Sequence, residues 1–412
     1  MQRRCRLFVL ATLILILGLA SAQAAQPAAA AQSAAASPAN GQFKVWLQAP
    51  HSLASRYQGK AAATQALNSG LGTPLALAAG DFNEDGVQDL VVGYATASGG
   101  ALAIYRGNLD AFAPQSQASF DAIGRGQFPD PFLRTATVMD VQSTPDFLAT
   151  GDFNGDGDID IVMGSRASAT LFVFFGDGHG HFTQPLALAL PGPVTALAAG
   201  HLLHTGPMAT LMVGTASGQK GALLVFSGTK LLMSFPMPAA VTSLAFGNLH
   251  RLGAPDTAMV AGGQVMILRG NDLLAAAAGN FNFRLENVGL PLSAVSVDIG
   301  SFLFDRTLRQ QMAVMSSDGS VSIVAPAGLD PTPWTMEEFQ ARRRASVEHR
   351  PLPIPAINPN DGWMIAETFP AVGGVGATPP IMMRTRVSDH GADDIAVVIP
   401  APGRCTCWRM TA

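Results

Sequence analysis

Charge is scarce in this chain. Asp, Glu, Lys and Arg make up 13% of the 412 residues, and the formal net charge is -4. A protein that grips nucleic acid by its phosphates needs a basic stripe, and none is written here. Cysteine is nearly absent: Cys5 lies close to the start, and Cys405 and Cys407 lie two apart near the end. Side chains two apart along a strand cannot bridge to each other easily, so no disulfide framework staples the fold. Tyr (3) and Trp (4) are few, which weighs against an aromatic platform for sugars. Beyond the N-terminus no apolar run is long enough for a membrane helix. There is also no Ser/His/Asp signature, no phosphate-cradling Gly loop and no zinc spacing.

What is present begins with MQRRCRLFVLATLILILGLASAQAA. Arg3, Arg4 and Arg6 form a positive start, Leu7 to Leu19 an apolar core, and Ala20 and Ala22, or Ala22 and Ala24, a small-residue cleavage pattern. Residues 1–22 therefore read as a secretory signal peptide, after which no transmembrane span follows. The expected location is secreted or periplasmic. Residues 23–40, rich in Ala, Gln, Ser and Pro, form a linker with nothing to pack. Residues 41–412 hold the fold.

That region repeats itself. LALAAGDFNEDGVQDLVVG from Leu75 and FLATGDFNGDGDIDIVMG from Phe147 are near copies. TALAAGHLLHTGPMATLMVG from Thr195 and TSLAFGNLHRLGAPDTAMVAGG from Thr242 keep the skeleton, as do fainter copies from Ala294 and Met382. Each has an apolar strand, a polar loop and a second apolar strand. A third strand ending in a Gly turn follows most copies, as in GALAIYRGN and GALLVFSGT. Four antiparallel strands at a period of about fifty residues predict an all-β chain, a β-propeller of about seven blades, or six. The stretch GWMIAETFP, Gly362 to Pro370, is the candidate for a degenerate seventh unit. GQFKVWLQAP from Gly41 is expected to pair with the last blade and close the ring, removing two open sheet edges. A helical, Pro-rich insertion is expected near residues 331–360, with Thr335 and Glu338 as a capping box.

In the first two copies, oxygen-bearing residues alternate. Numbered from the first Asp, Asp81, Asn83, Asp85 and Asp89 hold loop positions 1, 3, 5 and 9, and Val87 offers its carbonyl at position 7. The second loop has Asp152, Asn154, Asp156, Asp158 and Asp160 at the same places. So many carboxylates repel one another unless a cation neutralises them. The spacing, with Gly86 or Gly157 at position 6, is that of a calcium loop. It is not an EF-hand, because position 12 is Val92 or Met163 instead of Glu. Two Ca2+ sites are expected, at the weak affinities of extracellular modules, about 0.1–1 mM. The other copies have lost these oxygens: His201, Leu203 and Thr205 stand in the third, and Asn248, His250 and Leu252 in the fourth. His179 and His181 read as a solvated hairpin turn.

The string GDFNGDGxxDIVxG, followed by a strand and a GDGxGxF turn, resembles the FG-GAP/VCBS repeat of integrin-α-like propellers and exported bacterial repeat proteins. The resemblance implies calcium between the first and second strands of a blade, and a role in recognition outside the cell. The functional expectation is an exported, calcium-binding, non-enzymatic interaction or adhesion scaffold, with an extracellular or envelope protein or a glycan as ligand. The alternative is a carbohydrate-binding or polysaccharide-lyase-like propeller. The tail PGRCTCWRMTA does not read as the third strand due after DDIAVVIP, and a shift of reading frame near Gly403 would restore one.

Overall fold

The computed structural model describes residues 56–59, 62–203, 206–280, 285–371, 381–386, 391–399 and 404–408. The proposed closing strand from Gly41 lies outside these residues. Among them the chain forms six sheets, nearly all antiparallel, and divides between Thr242 and Ser243 into two compact units.

The first unit holds three sheets. Its opening sheet runs Thr73–Gly80, Asp89–Thr96, Gly99–Gly107 and Phe132–Val141, each antiparallel to the next. A short strand, Arg56–Gln58, adds to the outside in parallel. All three tyrosines meet there: Tyr105 Oη lies 2.9 Å from Tyr57 Oη and 2.7 Å from Tyr94 Oη. The second sheet is Phe147–Gly151, Asp160–Gly164, Thr170–Phe174 and Leu186–Ala189. The third is Val194–Gly200, Thr210–Ser217, Lys220–Ser227 and Lys230–Met237. The first strands of successive sheets pack together, and Thr150 Oγ1 donates to Ala79 O across one such contact at 2.6 Å.

The second unit repeats the plan. Val241–Gly247, Asp256–Ala261, Gln264–Leu268 and the two-residue strand Glu286–Asn287 form one sheet. Ala294–Gly300, Gln311–Ser316, Val321–Pro326 and Trp363–Phe369 form the next. Ile381–Thr385, Asp394–Ile399 and Arg404–Trp408 form the last. In both units the second and third strands are continuous buried runs, such as Leu211, Met212 and Val213. Sheets covered on both faces need such runs; the fourth strands alternate because one face meets water.

Two expectations need correcting. Trp363–Phe369 is not a separate unit: it is the fourth strand of the fifth sheet, pairing Val321↔Phe369 through Pro326↔Trp363. Its half-exposed pattern is that of an edge strand. The tail is also a third strand: Arg404–Trp408 pairs in register with Asp394–Ile399. Backbone hydrogen bonding accepts side chains that the repeat pattern does not favour.

The uneven spacing of the repeats now has a cause. The helices Leu109–Phe112 and Gln117–Gly124 sit between the third and fourth strands of the first sheet. Helix Gly270–Ala277 sits at the same point of the fourth sheet, and helix Met336–Val347 at that of the fifth. In an antiparallel meander this connection lies at the same end of the sheet as the loop between strands one and two. In the first sheet the Asp-rich loop and the insertion therefore share an end. Thr335 caps the last helix: its side chain accepts from Glu338 N, and Glu338 answers at Thr335 N.

Candidate metal centre

Each Asp-rich loop links the first strand of its sheet to the second. The residue at position 2, Phe82 or Phe153, is 1% exposed and pins the loop to the core. The chain turns through left-handed backbone at positions 4 and 6: Glu84 and Gly86 have φ of 55° and 86°, Gly155 and Gly157 of 86° and 100°. Glycine occupies three of these four places because it takes such a φ without strain.

The acids fall into two groups. Asp81 and Asp152, at position 1, fold over the turn. Asp81 accepts from Asp85 N and Gly86 N at 3.2 and 2.9 Å, and Asp152 from Gly155 N and Gly157 N at 2.6 and 3.0 Å. Asp85 and Asp156 lie at the exposed rim, each taking a hydrogen bond from the neighbouring Asn amide, at 2.8 and 2.6 Å. Asp158 N donates to Asp156 Oδ1, as Val87 N does to Asp85 Oδ1.

Position 9 is different. Asp89 and Asp160 are buried, and each ties two backbone amides together. Asp89 accepts from Phe82 N at 3.1 Å and Gly107 N at 2.7 Å; Asp160 accepts from Phe153 N at 2.7 Å and Gly176 N at 2.9 Å. The glycine lies at the end of the third strand or just past it, so the carboxylate clamps the loop to that strand. A Cβ on Gly107 would come within 2.6 Å of Val87 Cγ1, and one on Gly176 within 2.5 Å of Ile159 O. The fourth sheet keeps the same clamp. Asp256 accepts from Leu249 N at 3.0 Å and Gly270 N at 3.0 Å. This explains why Asp256 survives where the other loop oxygens are gone: it holds the strands. The sequence carried the signal as a Gly closing the third strand of most copies, paired with an Asp opening the second.

Burial raises the carboxyl pKa of both Asp89 and Asp160 to about 6, against the pull of their amide donors. The neighbouring carboxylates at positions 1 and 5 push the same way.

The first loop fits a divalent cation in its donor chemistry. Asn83 Oδ1, at position 3, is buried and has no hydrogen-bond partner. Among the described residues no basic side chain lies within ion-pair distance of the acids of either loop. An ion would draw on Asp81, Asn83, Asp85, the Val87 carbonyl and Asp89, and in the second loop on Asp152, Asn154, Asp156, Asp158 and Asp160. Among the described residues no three acidic, His or Cys side chains already converge as a cage. The rim carboxylates are turned onto backbone and Asn amides instead.

The two histidines of GDGHGH lie on the turn that follows the third strand of the second sheet. Asp177 organises that turn, accepting from His179 N at 2.9 Å and His181 N at 3.1 Å. Gly180 N donates to Phe82 O at 2.7 Å, which ties the turn to the first Asp loop.

Residues 73–105 match the model of the FG-GAP repeat, and so span the first Asp loop and the strands around it. No curated protein matches the chain. Among solved structures, the chain is similar to the one described as BBS1N in complex with ARL6DN, soaked with mercury. The identity is 10% over 83% of this chain and 79% of that one, with a TM-score of 0.46. It is also similar to the Dos1 propeller, at 11% identity over 61% and 55%, TM-score 0.38. A humanized mutant of the Chaetomium thermophilum Polycomb Repressive Complex 2 gives 10% over 79% and 65%, TM-score 0.45.

Proposed function

We propose that the six sheets are blades of a β-propeller and that the protein is an exported, calcium-binding interaction scaffold. The single observation that carries the calcium reading is the first loop: clustered acids without a basic partner around a buried, unpartnered Asn83 oxygen. Two ions are expected, one per Asp-rich loop. The last sheet has three strands among the described residues. A rigid ring of this kind presents loops at its ends for binding, and the insertions after the third strands widen that surface. The partner is a protein or glycan of the envelope or exterior. Of the tryptophans whose surroundings are described, Trp334 carries the guanidinium groups of Arg306 and Arg342 over its ring, and Trp363 lies against His250. Both rings are engaged within the chain, which favours a protein partner.

The test is calorimetric titration of the mature protein with calcium after chelation. Two binding events are expected, with one lost in Asp85→Ala and the other in Asp156→Ala. A wild-type protein that binds no calcium refutes the metal reading.

A further inference from the structure

The fourth and fifth sheets have lost the Asp loop but not every acid near it. The fourth loop keeps the turn of the first: Arg251 at position 4 and Gly253 at position 6 have φ of 52° and 106°. On that trace His250 stands at position 3, where the first two loops carry Asn83 and Asn154. It is 4% exposed. Its Nδ1 lies 3.2 Å from Asp256 Oδ2, and its Nε2 lies 3.2 Å from Glu286 Oε2. An ionised carboxylate only accepts, so a ring that donates to both must carry a proton on each nitrogen, as an imidazolium does. Glu286 is held from behind by Arg269 Nη2 at 2.8 Å and by Trp363 Nε1 at 2.6 Å. The indole also meets the imidazole edge-on, centroids 5.7 Å apart.

The fifth loop uses a guanidinium. Arg309 is 4% exposed. Its Nη1 donates to both oxygens of Asp361, at 2.8 and 2.9 Å, and its Nε lies 3.6 Å from Asp305 Oδ2 within the same loop. In both sheets one acid comes from the loop or the strand after it. The other, Glu286 or Asp361, lies at or just before the fourth strand. The third loop, HLLHTGPMA, has no acid in its sequence, and so needs no cation.

We infer that His250 and Arg309 are resident counter-ions, side-chain cations that neutralise the fourth and fifth loops as a divalent ion would neutralise the first two. The inference rests on the calcium reading only for the first two loops. With Asp393 of the last sheet paired to Arg386 at 2.9 Å, it confines divalent ions to the first unit and makes the second unit indifferent to chelation. Burial opposes the charge on His250, but the hydrogen bonds to Asp256 and Glu286 outweigh it and lift its pKa to about 9. The groups facing the ring are Asp256, Glu286 and the Trp363 indole, with Arg269 behind Glu286.

Two measurements on the mature protein test this. An imidazolium quenches an adjacent indole, so tryptophan emission should rise between pH 7 and 10 with a midpoint near 9. The rise should vanish in His250→Gln, and in Trp363→Phe should the first variant not fold. Emission that stays level through pH 10 in the wild type overturns the role of His250. In calorimetry the double variant Asp85→Ala, Asp156→Ala should fall from two calcium ions to none; a residual site overturns the confinement to the first unit. A wild type that binds no calcium yet shows the alkaline midpoint refutes the calcium reading and leaves the resident cation standing.

Discussion

Asp256 serves three neighbours at once: the amides of Leu249 and Gly270, and the imidazole of His250. Removing it leaves donors and a charge buried without a partner. Asp256→Ala should therefore cost about 3–5 kcal/mol, read from urea unfolding followed by tryptophan emission. A loss below about 1 kcal/mol would mean that the clamp is not structural. Asp85 is a different case, because it sits at an exposed rim and binds only local groups. In chelator Asp85→Ala should shift stability by about 0.5 kcal/mol or less. In calcium at ten to a hundred times Kd it should forfeit the gain from one site, about 1.4–2.7 kcal/mol. Thermal melts with and without EDTA separate the two conditions. The same scale sets the pH response expected of the second unit. Glu286 is lowered to about 2; burial alone would raise it, but donors from His250, Trp363 and Arg269 outweigh that. A lowered acid stabilises above its unfolded pKa of about 4.5 and loses that effect as pH falls towards 2. A raised base such as His250 stabilises below about 6.5 and loses the effect as pH rises through 9. Unfolding of the second unit by urea should thus need most denaturant between about pH 4.5 and 6.5.

Among the elements, the loops between strands one and two depend on their position-2 residue. Phe82, Phe153, Leu202, Leu249 and Phe302 are all at most 2% exposed, although only the first two loops carry the full set of oxygens. Phe153→Ala should cost about 3–5 kcal/mol whether or not calcium is present, because the loss is one of packing. Equal loss in EDTA and in calcium, measured by chemical denaturation, checks this. Helix Met336–Val347 is anchored by its capping box, by the ion pair of Arg306 with Glu338, and by the stacking of Arg306 and Arg342 on Trp334. Thr335→Ala removes one side-chain acceptor at the helix start, worth about 1 kcal/mol locally. Faster amide exchange in the first helical turn, with the sheets unchanged, is the expected sign.

For the molecule as a whole, the two units should answer differently to chelation. Amide exchange should speed up in residues 73–237 when calcium is removed and stay constant in residues 243–369. Uniform protection in both states would contradict a metal confined to the first unit. Bound calcium should raise the melting temperature of the first unit by roughly 3–10 °C per site at high occupancy.

Much of this was legible in the chain itself. The period of about fifty residues, the Gly-closed third strands and the alternating oxygens of Asp81 to Asp89 are local patterns, and local patterns fix strand, turn and candidate ligands. Misread were the segments whose partner decides their state. Trp363–Phe369 is a fourth strand because Val321–Pro326 lies beside it, and Arg404–Trp408 is a third strand because Asp394–Ile399 does. The network of His250, Asp256, Glu286 and Trp363 joins residues up to 113 positions apart, and no spacing rule finds it. Chain distance carries the hydrophobic period and the turn, whereas the charge state of a buried ring is set by whatever the fold brings against its two nitrogens.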